Sequence, residues 1–292
     1  VSAQGSRRRR AYFGGAVSVA ADATIYGLTV GRGAGAVSTN TAVGASAISG
    51  SNTGGNNTAV GYEALKVNTS GAQNVAIGRS ALAANIAGTS NSALGVGALS
   101  VNQSGSYNTA VGGDALVSNT TGSSNTAVGY QAGYSNVAGP QSVYVGYGAG
   151  YNDTGGYNTI IGYNAGGGKT TGDSTTIIGR NAGAAAGARQ SQTLVGDNAG
   201  NQTTGSSNTF LGINSGYLVT TGTKNSIIGS YSGNQGGLDI RTASNYIVLS
   251  DGDGNPRAYF NGADATFAGA VTIAGTGNPT TPPHATPCQR VR

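Results

Sequence analysis

Apolar and polar positions along this chain recur in fixed columns. The phrase Asn-Thr-Ala-Val-Gly returns with variations, closing on Gly44, Gly61, Gly78, Gly95, Gly112, Gly129, Gly146, Gly162, Gly179, Gly196, Gly212 and Gly229. Nine of the eleven intervals between these anchor glycines are 17 residues and the other two are 16. The residue just before the glycine is aliphatic in every copy, from Val43 to Ile228, and the residue one earlier is apolar in every copy, from Ala42 to Ile227. A unit this short cannot be a helical-hairpin repeat, which needs ~33 residues or more. It fits one coil of a β-solenoid, predicted as two short strands and two turns per coil.

Other columns refine the coil. Seven residues before the anchor stands Gly in ten of the eleven copies after the first, with Arg189 the exception. Both glycine columns are expected at turns that need a positive φ. Four before the anchor stands Asn in nine of twelve copies, a pattern suited to an Asn ladder between coils. Successive strand residues point to opposite faces. Two adjacent apolar columns therefore imply strands covered on both sides. A single coil encloses only one side, so the other predicts packing against further copies of the chain. The column two before the anchor is assigned to that interface, with Ile160, Ile177, Leu194, Phe210 and Ile227 as its large members. That column changes from Ala to large residues after Ala127, while the column four after the anchor changes from Ile48, Leu65, Leu82, Leu99 and Leu116 to Gly from Gly133 onward. Such compensation in volume predicts that the two columns touch. The copy holding both Ala127 and Gly133 is the expected thin layer.

Composition narrows the alternatives. The chain has 53 Gly in 292 residues, no Trp, no Met and only 9% charged residues, so an ordinary globular core is excluded. Its 37% hydrophobic content is too high for a solvated linker. The net charge of +5 is concentrated at the ends, in Arg7, Arg8, Arg9 and Arg10 and in Arg290 and Arg292. Between Asn40 and Asn234 there are six Lys/Arg against five Asp/Glu. The basic run reads as a solvated arm, and no nucleic-acid partner is expected. No apolar run approaches the ~20 residues of a membrane-spanning helix, so no membrane insertion is expected. The single cysteine, Cys288, gives no disulfide framework within one chain.

The stretch at 57–65 (Asn-Thr-Ala-Val-Gly-Tyr-Glu-Ala-Leu) and its relatives through Gly233 resemble the head repeats of trimeric autotransporter adhesins, as does Asn-Val-Ala-Ile-Gly at 74–78. The array with both flanks more closely resembles repetitive bacteriophage tail fibres. The segments at 23–33 and 245–275 look like fibre shaft on either side of the array. This resemblance implies an all-β fold: a trimeric left-handed parallel β-roll or β-solenoid of about twelve 17-residue coils, flanked by fibre-shaft segments. The expected organisation is a basic lead-in at 1–22, shaft at 23–39, the repeat array at 40–234, shaft strands at 235–275 and a Pro-rich flexible tail at 276–292.

Chemistry is sparse. The one histidine, His284, lies in the Pro-rich tail, and no triad can be built on it. Gly168-Lys169-Thr170 is a near miss for a phosphate loop, which needs Gly where Tyr163 stands. The run at 251–255 (Asp-Gly-Asp-Gly-Asn) lacks the downstream Glu of a Ca²⁺ loop and reads as a turn. Asn68, Asn102, Asn119 and Asn201 open Asn-x-Ser/Thr triplets that follow from composition. No catalytic residue, metal site or cofactor is expected.

Tyrosines are the candidates for surface contact. Tyr62, Tyr130, Tyr147 and Tyr163 follow the anchor glycine directly, the last three on consecutive coils. They are expected to form a ladder at about the ~4.8 Å strand spacing, either as a ligand platform or as a stiffening cover on the coil edge. The function expected is that of a non-enzymatic fibre segment in the virion tail. Its partners would be its own copies as a homotrimer, other tail or fibre proteins, and a host-surface glycan or protein. The alternatives are a trimeric adhesin head on a bacterial cell surface and an ice-binding solenoid, the latter because Thr fills eight of twelve positions three before the anchor.

Overall fold

The computed structural model describes residues 23–269, apart from 26, 27, 36, 186 and 263. The basic arm at 7–10, His284, Cys288 and the Pro-rich tail lie outside the described residues. Among those described there is no helix. The chain is a parallel β-solenoid of twelve coils, each contributing one three-residue strand, from β3 (Thr41–Val43) to β14 (Ser226–Ile228). Successive strands pair in parallel and in register, so that Thr41, Ala42 and Val43 meet Thr58, Ala59 and Val60. The same register runs to Ile227 opposite Phe210.

Both ends of this ladder turn antiparallel. β1 (Ala23–Ile25) and β2 (Leu28–Gly31) form a hairpin that pairs onto β3. At the other end β17 (Ile247–Ser250) continues the parallel ladder and carries β18 (Pro256–Phe260) and β19 (Ala265–Phe267) as antiparallel strands. A separate two-stranded hairpin, β15 (Asn234–Gln235) with β16 (Leu238–Asp239), stands between β14 and β17.

Each coil has one strand where two were expected. The cause is the backbone after the anchor glycine. In the first eleven coils the residues two and four beyond it both sit in the left-handed region, as with Glu63 at φ 58° and Leu65 at φ 49°. Two left-handed residues within three positions prevent an extended run. The coils still bond to one another there, for instance Leu65 N–H to the Ala81 carbonyl at 3.0 Å. A left-handed Leu costs about 1–2 kcal/mol. Its burial is worth about 1.5–3 kcal/mol, and Leu65, Leu82, Leu99 and Leu116 are fully buried.

The anchor glycines have φ between 107° and 145° in all twelve copies, as expected. The earlier glycine column meets the expectation at Gly172, with φ 106°, and departs from it elsewhere. Gly71, Gly88 and Gly105 are not left-handed, and what they supply is space. A Cβ on Gly71 would fall onto the side-chain amides of Asn68 and Asn85 and the carbonyl of Gly88.

The core lies inside the coil of one chain, and this overturns the interface assignment. Ile160, Ile177, Leu194, Phe210 and Ile227 are completely buried within the single chain, as is the whole column from Ala42. They face the Ala column three after the anchor and the Leu or Gly column four after it. The predicted contact between the swapping columns is thus made within one chain. A Cβ on Gly166 would stand 3.2 Å from Ile160 and 3.3 Å from Ile177. The layer expected to be thin is filled from above and below. A Cβ on Gly133 would meet Tyr144 at 2.7 Å and Leu116 at 3.0 Å.

Candidate functional site

With the inner column accounted for, the outer face of the sheet is the one without a cover. It consists of the columns three and one before each anchor. Ile77, Leu94, Val128, Ile178, Leu211 and Ile228 are exposed, with Leu94 at 49% and Ile228 at 52%. Val43, Val60, Val111, Val145, Ile161 and Val195 in the same column are half-buried. Beside them runs the column of Thr, Val and Ser from Thr41 to Ser226. None of these positions is charged. The stripe continues beyond the array. Exposed Val30 pairs opposite Val43 at one end, and exposed Leu249 opposite Ile228 at the other.

The tyrosine ladder forms. Tyr130 and Tyr147 stack with centroids 5.4 Å apart and planes at 27°, and Tyr147 and Tyr163 at 5.3 Å and 16°. Tyr62 is exposed in the same column but separated from the stack by Arg79, Val96 and Gly113. A second stack, Tyr134 on Tyr151 at 4.8 Å and 12°, stands four residues further along the same coils. The period that reveals the first stack reveals the second, since both are columns of the same repeat. Stacking decides what the ladder can offer. Both faces of Tyr147 are covered by neighbours, so the row presents ring edges and hydroxyl tips.

Inside the coil, two Asn ladders run side by side. The expected one is present: Asn74 Nδ2 donates to Asn57 Oδ1 at 3.1 Å and Asn91 Nδ2 to Asn74 Oδ1 at 3.2 Å. The second contains three residues that looked like glycosylation triplets. Asn68 Nδ2 donates to Asn52 Oδ1 at 2.7 Å, and Asn85, Asn102 and Asn119 continue the chain of amides at 2.7–2.8 Å. Asn68, Asn102 and Asn119 are fully buried, which removes them as attachment points.

This second ladder changes character at Asn136. Its amide donates to the Tyr144 hydroxyl at 3.0 Å, which donates to Asp153 Oδ2 at 3.0 Å. Asp153 and then Lys169 occupy the next two places in the column, and Lys169 Nζ lies 2.5 Å from Asp153 Oδ1. Burial pulls the Lys169 ammonium below its ordinary value, opposed by the Asp153 charge. Burial, and then Asp153, pushes the Tyr144 hydroxyl up. Arg189, the residue that breaks the glycine column, is also fully buried. Its guanidinium donates to the carbonyls of Thr203, Gly183 and Ala185, and burial pushes it down to about 10. Lys169 therefore belongs to the core and is not placed to hold a phosphate.

In the 251–255 turn, Asp251 Oδ1 accepts the backbone N–H groups of Asp253 and Asn255, and its other oxygen pairs with Arg257 at 2.6 Å. No group of three or more His, Cys, Asp or Glu side chains converges among the described residues. No protein-family model, curated protein or solved structure matches this chain.

Proposed function

We propose that the chain is a structural, non-enzymatic fibre segment: a parallel homotrimer in a bacteriophage tail that reaches and attaches to a host surface. The observation that carries this reading is the uncharged aliphatic stripe, exposed in six of the twelve coils and half-buried in the other six. Contiguous exposed apolar surface of this length marks an interaction face. An occupant must match a ~4.8 Å pitch over twelve consecutive strands, and another copy of the same chain, aligned in parallel, supplies that pitch. The resemblance of the repeat to trimeric adhesin heads supports three copies. Twelve coils give a rod section of roughly 58 Å.

In this reading the tyrosine ladder offers the target a row of hydroxyl-tipped edges, presented three times in the assembly. Threefold presentation converts weak single contacts into avidity. The test is to replace Tyr130, Tyr147 and Tyr163 together with Ser and measure attachment to host cells. Attachment should fall while the assembly stays intact. Unchanged attachment would assign the ladder to stiffening the rod.

One observation favours a second reading, an ice-binding solenoid. The Thr column and the aliphatic column both face outward on one regular sheet. The two readings compete for the same face, so they are separable. A monomer that inhibits ice recrystallisation supports the second, and a trimer without that activity supports the first.

A further inference from the structure

The repeat breaks its step at the C-terminal end of the array. Ile227 pairs with Val248, 21 residues on, where earlier coils step by 16 or 17. The additional residues build the β15–β16 hairpin. Together with the 251–255 turn it raises a wall beside the last coil. The result is an open cleft of about 470 Å³. Insertions that leave a solenoid's repeat often carry its binding face.

The wall is rigidly held. Gln235 Oε1 accepts the Ser232 N–H at 2.7 Å, and Gln235 Nε2 reaches the Asp253 carbonyl at 3.3 Å, joining hairpin to turn. Tyr231, buried beneath, donates its hydroxyl to the Leu238 carbonyl at 2.7 Å. Asp251 fixes the turn as described above. Its apolar lining is Ile213, 60% exposed, with Tyr217 and Leu218. Its polar lining includes Asn214, Ser230, Ser232 and Asp253. The Asp253 carboxylate has no hydrogen bond or ion pair among the described residues, and Asn214 Nδ2 donates to none of them.

We infer that this cleft binds a neutral sugar residue, its apolar ring face on Ile213 and Tyr217 and its hydroxyls on Asp253 and Asn214. The lining selects that class by exclusion. Asp253 is its only charged side chain, so phosphate, sulfate and acidic sugars meet repulsion with no cation to offset it. A single free carboxylate does not make a metal site, since Asp251 is engaged by Arg257 and backbone N–H groups. A free carboxylate that shares a cleft with uncharged hydroxyl and amide groups and with exposed apolar side chains suits a polyhydroxylated ligand, whose O–H groups form charge-assisted bonds to the carboxylate. The cleft also lies on the tyrosine face. Ile213 stands in the column of Tyr130, Tyr147 and Tyr163, and Tyr217 in that of Tyr134 and Tyr151. Backbone bonds run coil to coil along that face, from Asn164 N–H to the Tyr147 carbonyl through Asn214 N–H to the Asp197 carbonyl, both at 2.8 Å.

This inference deepens the host-attachment reading by naming the chemistry of the target, and it does not depend on the trimer. The experiment is saturation-transfer NMR on the full chain with glucose, galactose, mannose and N-acetylglucosamine, and with N-acetylneuraminic acid as the acidic control. At least one neutral sugar should receive saturation at its ring protons, and the acidic sugar none. Asp253→Ala and Ile213→Ser alter exposed side chains that hold no part of the core. Each should weaken the signal-derived affinity about tenfold, the loss expected for one bond to a charged group or one apolar contact. No transfer to any neutral sugar, preferential transfer to the acidic one, or affinity unchanged in either variant overturns the inference. A trimer that binds no sugar leaves the fibre reading standing, and a monomer that binds sugar sinks only the fibre reading.

Discussion

Lys169 Nζ stands 2.5 Å from Asp153 Oδ1 with both side chains completely buried, at the place where a ladder of asparagines gives way to charge. The pair closes the hydrogen-bonded column of amides that runs from Asn52 to Asn136, and the described places beyond it hold the buried Thr203 and Val219.

The energetic consequence is asymmetric. Lys169→Ala leaves the Asp153 carboxylate buried without its partner and should destabilise the chain by about 3–5 kcal/mol. Asp153→Asn with Lys169→Asn removes both buried charges, extends the amide column by two rungs and should recover most of that loss. Urea unfolding of the three proteins gives the comparison. A double variant as damaged as the single one would show that the charges contribute more than the ladder they replace.

The exchange between columns predicts a second coupling. A Cβ on Gly216 would collide with the Phe210 ring. Phe210→Ala should cost about 3–5 kcal/mol through the cavity it opens. Gly216→Leu alone should be severely destabilising. Combined, they recreate the Ala and Leu pairing of the first five coils, and the double variant should recover about 0.5–3 kcal/mol relative to the sum. Strict additivity in a thermal or chemical denaturation cycle would contradict the packing described.

The tyrosine stacks should be measurable as stability. Tyr134 and Tyr151 lie at 4.8 Å with near-parallel rings. A double-mutant cycle with Ala at both positions should return a coupling of about 0.5–1.5 kcal/mol. A coupling near zero would mean that the rings gain nothing from one another in solution.

Much of this was legible because the repeat makes every coil a replicate of its neighbours. The spacing of the anchor glycines gives the coil length, and the aliphatic residue before each one marks the strand. The Asn57, Asn74 and Asn91 column announces its ladder, and the exchange of Leu116 for Gly133 announces a contact. What was not legible concerns direction and space. Ala59 and Val60 are both apolar neighbours on one strand, and parity says that they face opposite ways without saying which faces in. The reading that sent Ile177 outward reversed that face. The buried Leu column supplies the missing signal, because only a residue inside the coil can exchange volume with it. Gly71 looked like a turn glycine, but its requirement is room for stacked amides, which composition does not distinguish from a positive φ. Asn68 and Asn102 taken singly read as triplets, and the signal that makes them a ladder is the 17-residue spacing of Asn68, Asn85 and Asn102 seven places after their anchors.

The central claim is that the outward stripe joins chains together, and two adjacent isoleucines test it most directly. Ile178 faces out at 36% exposure and Ile177 is fully buried. The measurement is sedimentation equilibrium at low micromolar concentration, with circular dichroism on the same samples. The unmodified chain should sediment as a trimer. Ile178→Asp should sediment as a monomer that keeps its β-sheet signal, and Ile177→Asp should lose that signal. An unmodified chain that is a folded, soluble monomer, or an Ile178→Asp variant that remains trimeric, would contradict the account.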